Sequence, residues 1–199
     1  MNIEKIMEIA DELGSDKGIV DYRQIPEIDI YMDQLTTFID NKLAGLKRED
    51  NEKILTKTMI NNYCKDKLLP PPYKKKYTAE HVALLIMIYH LKETLKISDI
   101  SALFSSLDEV SFKAMYEMFT KIQETCLEPA KSEIKEIVRQ LDQSEYDDKT
   151  ANALLIMVLT LDSAYKSRLA SRLIDTFLRE EAPKSKETSQ KSNKTKTKS

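Results

Sequence analysis

The chain has 199 residues, 41% hydrophobic and 32% charged, with a formal net charge of −2. That length suits one large domain or two small ones, and the apolar share excludes wholesale disorder. It holds three glycines, where average usage would give roughly fourteen, which argues against sandwiches, barrels and Gly-rich nucleotide-cradling loops. The composition reads all-α.

The longest apolar runs, Val82–Tyr89 and Ala153–Leu159, fall short of a bilayer span. The start, Met1-Asn-Ile-Glu-Lys5, carries acid early and has no apolar stretch of signal-peptide type. Cys64 and Cys126 are too few for a disulfide framework, so a reducing, cytoplasmic setting and no membrane contact are expected.

In chain order, Ile3, Ile6, Met7, Ala10 and Leu13 predict a first helix with Gly14 as its stop. A connector follows, and a second helix is expected from Tyr31 to Leu43, then a charged loop from Lys47 to Lys53. Thr56 caps a short helix over 57–66, which Leu68-Leu-Pro-Pro-Pro72 stops. Thr78 caps a helix that is apolar nearly all round and therefore buried, with His81 decorating its start. Ser98 caps the next. From Phe112 the spacing is 3-4-3-4 through Met115, Phe119, Ile122 and Cys126, and Pro129 is expected to end that helix. A helix through Ile134 to Leu141 and a last one over 150–179 follow, with Asp147 and Asp148 as helix-start residues. Beyond Pro183 the chain is Lys, Ser and Thr without apolar residues, which predicts a disordered tail.

The charge is uneven. Residues 1–182 carry a net −7, the tail over 183–199 a net +5, and the stretch Lys53–Tyr77 seven lysines against Asp66 alone. A basic island on an acidic body marks a particular face. Its short helix divides into two sides. Ile60, Tyr63 and Cys64 face a core, while Thr58, Asn61, Asn62 and Lys65 form an acid-free polar side. Asn can bond adenine, Thr a base edge or thymine methyl, and Lys guanine or phosphate. Lys74, Lys75 and Lys76 then form a cation cluster flanked by Tyr73 and Tyr77, suited to phosphate.

These residues carry a resemblance. Thr56, Tyr63, Leu68-Leu-Pro-Pro71, Lys74 to Lys76 and Tyr77-Thr78 are similar to the winged helix-turn-helix of the MerR regulators. Ser98-Asp-Ile100 and Leu103-Phe104 echo that family's later motif. Residues 28–107 resemble more closely an uncharacterised bacterial domain family of unknown function with the same motif, on Leu55-Thr-Lys-Thr-Met-Ile-Asn-Asn-Tyr63 and the triproline–lysine wing. The departures are a longer loop at 44–54, a shortened wing without its glycine, and Asn61-Asn-Tyr-Cys64 in place of Arg-Tyr-Tyr-Glu.

The resemblance implies a winged helix-turn-helix core at 28–107 that binds double-stranded DNA as a transcriptional regulator. An N-terminal helix and connector over 1–27 would precede it, and a C-terminal helical bundle over 108–182 would follow. The residues expected at DNA are Lys57, Thr58, Asn61, Asn62, Tyr63, Lys65, Lys74, Lys75 and Lys76. Phe112, Met115, Phe119 and Ile122 form a seam that is either internal core or a homodimer contact, and the resemblance points to the dimer. The helical region is also where an effector would bind. The alternative is a protein-interaction adaptor that keeps the scaffold without DNA binding. An exposed apolar groove within 110–180 would favour the adaptor; a continuous positive surface would favour DNA. His81 and His90 lie on opposite sides of one helix, the cysteines are isolated, and no nucleophile or phosphate-loop motif occurs. No cofactor, metal or catalytic role is expected.

Overall fold

Helix α4 (Ala79–Leu91) lies at the centre of the fold because its sequence is apolar on every side, and eight of its residues are buried. The computed structural model describes residues 2–15, 18–107 and 111–179. Among them are six further helices: α1 (Ile3–Ser15), α2 (Met32–Lys42), α3 (Lys57–Lys65), α5 (Ile97–Ser105), α6 (Phe112–Asp142) and α7 (Asp148–Phe177). One small antiparallel sheet joins β1 (Ile30–Tyr31) to β2 (Lys76–Tyr77), with Ile30 opposite Tyr77 and Tyr31 opposite Lys76. The architecture is mostly helical, as the composition requires.

Leu35 and Ile39 of α2, Ile60 and Tyr63 of α3, and Ile100 of α5 bury their apolar sides with α4. Long-range polar ties fix the connector onto this core. The Tyr116 hydroxyl donates to the Val20 carbonyl at 2.8 Å. His90 Nε2 lies 3.0 Å from the Gly18 carbonyl. Gly18 has φ +50°, and a Cβ there would drive into the Leu46 side chain, so this turn needs glycine.

Several boundaries differ from the sequence expectation for identifiable reasons. Gly14 lies inside α1 and is not its stop; its missing Cβ leaves room for Lys131 of α6, whose ammonium pairs with Asp11 at 3.0 Å. Lys96, not Ser98, is the N-cap of α5. Pro129 does not end a helix, because α6 runs through it. Pro129 and Thr125 are both exposed, so the Thr125 carbonyl left without a donor can take water. Packing of α6 on α1 and α7 offsets the roughly 3 kcal/mol that an interior proline costs. The helix start at Asp147 stands, since its side chain accepts from Thr150 N at 2.7 Å. The lysine tail expected over 183–199 lies outside the described residues.

The seam of α6 has partners within the chain itself. Phe112, Met115 and Phe119 pack against the chain's own core, and Ile122, at 52% exposure, is the one of the four that is open. Phe112 and Met115 wall a cavity of about 340 Å³ with Leu68, Leu84 and Phe104. An exposed apolar row lies on α7, where Val158, Leu161, Tyr165, Leu169 and Leu173 recur at steps of three and four. No helix of the described residues is long and apolar enough to cross a membrane.

Candidate nucleic-acid interface

Helix α3 is built by a cap at each end. Thr56 Oγ1 accepts from Met59 N at 3.2 Å. At the C-terminus, Lys67 N donates to the Cys64 carbonyl at 3.2 Å and Leu68 N to the Tyr63 carbonyl at 2.9 Å. This is a Schellman arrangement, in which the residue after the cap takes the left-handed conformation and is usually glycine. Here it is Lys67, with φ +58°. The helix therefore ends before the triproline, which serves as a spacer instead of a stop.

The triproline is pinned at its first carbonyl. Pro70 O lies 3.1 Å from His81 Nε2 and 3.8 Å from Cys64 Sγ, so the end of α3 and the start of α4 share one acceptor. A carbonyl only accepts, which places the imidazole proton on Nε2 and leaves Nδ1 to accept from Thr78 N at 3.1 Å. His81 is thus a buried tether, not a decoration. Its burial lowers its pKa, as does that of His90. Burial likewise pushes the Cys64 thiol up, away from the reactive thiolate.

After the prolines the chain reverses in a β-turn at Tyr73–Lys76, closed by Lys76 N donating to the Tyr73 carbonyl at 2.9 Å. Its central residues, Lys74 and Lys75, have φ +49° and +64°. That is a type I′ turn, which Asn-Gly fits and two lysines strain. The three non-glycine residues with positive φ among those described are all lysines, and they bracket the triproline.

The polar side of α3 is where the periodicity puts it: Thr58, Asn61, Asn62 and Lys65 are exposed, while Ile60 is buried and Cys64 half-buried. Tyr63 is only 6% exposed, so its ring packs in the core. Lys57 is exposed but ion-paired with Asp33 of α2. Lys74 and Lys75 are exposed, and Lys76 is half-buried between neighbours on the sheet. Sequence reasoning missed Lys67, although it sits within the basic island, and the exposed Tyr31, which a strand pairing brings beside Lys76. Among the described residues, no group of three or more His, Cys, Asp or Glu side chains could hold a metal ion.

The fold is mostly helical, with a short capped helix, a triproline and a lysine turn following one another and one small two-stranded sheet. The chain is a member of the family described as Domain of unknown function (DUF1836), which matches residues 20–121. That span starts at Val20 and takes in Tyr116, the two ends of the buried hydrogen bond that closes the core. No curated protein and no solved structure matches the chain.

Proposed function

We propose that the chain is a sequence-specific DNA-binding regulator of MerR-like winged helix-turn-helix type, acting as a homodimer without catalysis. In this reading α3 enters the major groove. Thr58, Asn61, Asn62 and Lys65 meet base edges there, and Tyr63 braces the helix from inside. Lys74, Lys75 and Lys76 form the wing on the phosphates, joined by Lys57 and Lys67.

The observation that carries the reading is the placement of lysine at the three left-handed positions. A side chain there costs on the order of 1–2 kcal/mol relative to glycine. All three strained residues carry the same long cation on an exposed surface. Folding alone would favour glycine or asparagine, so the charge itself accounts for the choice, and duplex phosphate is the polyanion that a neighbouring acid-free helix face suits.

The second reading, a protein-interaction adaptor on the same scaffold, is favoured by the exposed apolar row on α7. Anisotropy of a labelled mixed-sequence duplex separates the two. The full chain is titrated from low to physiological salt beside a variant with Lys74, Lys75 and Lys76 changed to Ala, so that the lysine tail is common to both. Steep salt dependence that the variant loses supports the DNA reading. Equal binding by both proteins, or none at low salt, leaves the adaptor.

A further inference from the structure

The sheet places three side chains in one row. Tyr31 of β1 is the register partner of Lys76, and Lys76 forms a bridge with Tyr73 across the turn. Directly opposed residues in antiparallel pairs project on the same face, and adjacent strands lie about 4.8 Å apart. Lys76 therefore stands between two tyrosines whose backbones are on the order of 10 Å apart. The inward residues of the same strands, Ile30 and Tyr77, are buried, so the row is the outward face. Tyr73 is 73% exposed and Tyr31 54%. The Lys74 ammonium lies 5.1 Å from the Tyr73 ring centroid and that of Lys76 5.5 Å from the Tyr31 centroid.

Two exposed rings, each with an ammonium over it, make a poor fold element, since neither ring is held by core packing. They make a good platform for a ligand that is both flat and anionic. Nucleobases that have left the helical stack meet that description: the ring takes the base face and the adjoining lysine takes the phosphate. A base inside a duplex hides its faces and cannot use the rings. We propose that Tyr31 and Tyr73, with Lys76 between them, form a stacking site for unpaired bases of a DNA strand. The proposal rests on the nucleic-acid reading of the same turn and adds a second ligand form, single-stranded DNA, to the duplex.

The test measures a labelled oligothymidylate and the mixed-sequence duplex against the full chain, over a salt series. The variants are Y31A/Y73A, Y31F/Y73F and K74A/K75A. Both tyrosines are exposed, so the alanine variant is expected to keep its fold, which circular dichroism checks. Y31A/Y73A should weaken oligothymidylate binding by about thirtyfold or more, since two stacked bases are lost, with the salt slope unchanged. Y31F/Y73F should restore it, and duplex affinity should move less than about twofold. K74A/K75A should lower the salt slope for both ligands. Unchanged oligothymidylate binding by Y31A/Y73A overturns the stacking site while K74A/K75A still reports on the DNA reading. Tighter binding of an oligouridylate than of oligothymidylate also overturns it, as a site for RNA. If the wild-type chain binds neither ligand, both readings fall together.

Discussion

His81 Nε2 donates to the Pro70 carbonyl at 3.1 Å, and this bond ties the triproline to the start of α4. The ring is held neutral, because Nδ1 accepts from Thr78 N and a second ring proton would face that donor. His90 is half-buried, with its Nε2 on the Gly18 carbonyl.

Acid should therefore loosen the core through these two residues. Burial lowers both pKa values below the ordinary 6.5, against weaker opposing effects of the carbonyl bonds and of Glu80 and Asp29 at His81 and Glu93 at His90. The unfolded chain takes up protons as the pH falls through 6.5, whereas the folded chain takes them up only lower. Stability is then full above about pH 7 and falls between 6.5 and the folded values, by at most about 1.4 kcal/mol per pH unit for each histidine. Urea midpoints from pH 8 to 5 check this, and H81Q/H90Q should flatten the slope in that window. A flat wild-type profile would contradict it.

The strained lysines allow a separation of stability from binding. K67G, K74G and K75G should each raise stability by about 0.5–1 kcal/mol, since glycine relieves the left-handed strain but adds unfolded-state freedom. Each should weaken duplex binding and reduce its salt slope by about one. Thermal unfolding beside anisotropy reads both effects, and parallel loss of stability and binding would show that the lysines serve folding.

On α3, base reading and phosphate binding differ in their signature. N61A should cost about 1–3 kcal/mol on a preferred sequence selected from a random pool and much less on other duplexes. Equal loss on all sequences would remove Asn61 from the base-reading set.

Asp99 of α5 is buried and bonded to Arg179 just past the end of α7. R179M should leave that carboxylate without its cation. Arg179 is 42% exposed, so solvent screening reduces the cost to roughly 1–3 kcal/mol. D99N/R179M should recover part of it in chemical denaturation, and a wild-type midpoint for R179M would disprove the latch.

In the homodimer proposed above, the exposed apolar row on α7 is the expected contact. Sedimentation equilibrium of the full chain should give a dimer, and L161E/Y165E a monomer with an unchanged circular dichroism spectrum. A monomeric wild type would assign the row to another protein and favour the adaptor.

Periodicity and caps were enough to place most helices, because burial of one side repeats every three to four residues and leaves a local trace. The polar side of α3, the Thr56 cap and the all-round burial of α4 were legible in this way. What tertiary structure decided were relationships without local trace. Pro129 sits inside α6 because packing on α1 and α7 outweighs its backbone penalty, and Gly14 serves the approach of Lys131 instead of ending a helix. The seam of Phe112, Met115 and Phe119 faces its own core because α4 lies beneath it. Tyr31 joins Tyr73 and Lys76 only through a strand pairing some 45 residues apart in sequence. Left-handed backbone at Lys67, Lys74 and Lys75 is likewise imposed by how the chain must turn between α3 and β2, against the preference of the residues themselves.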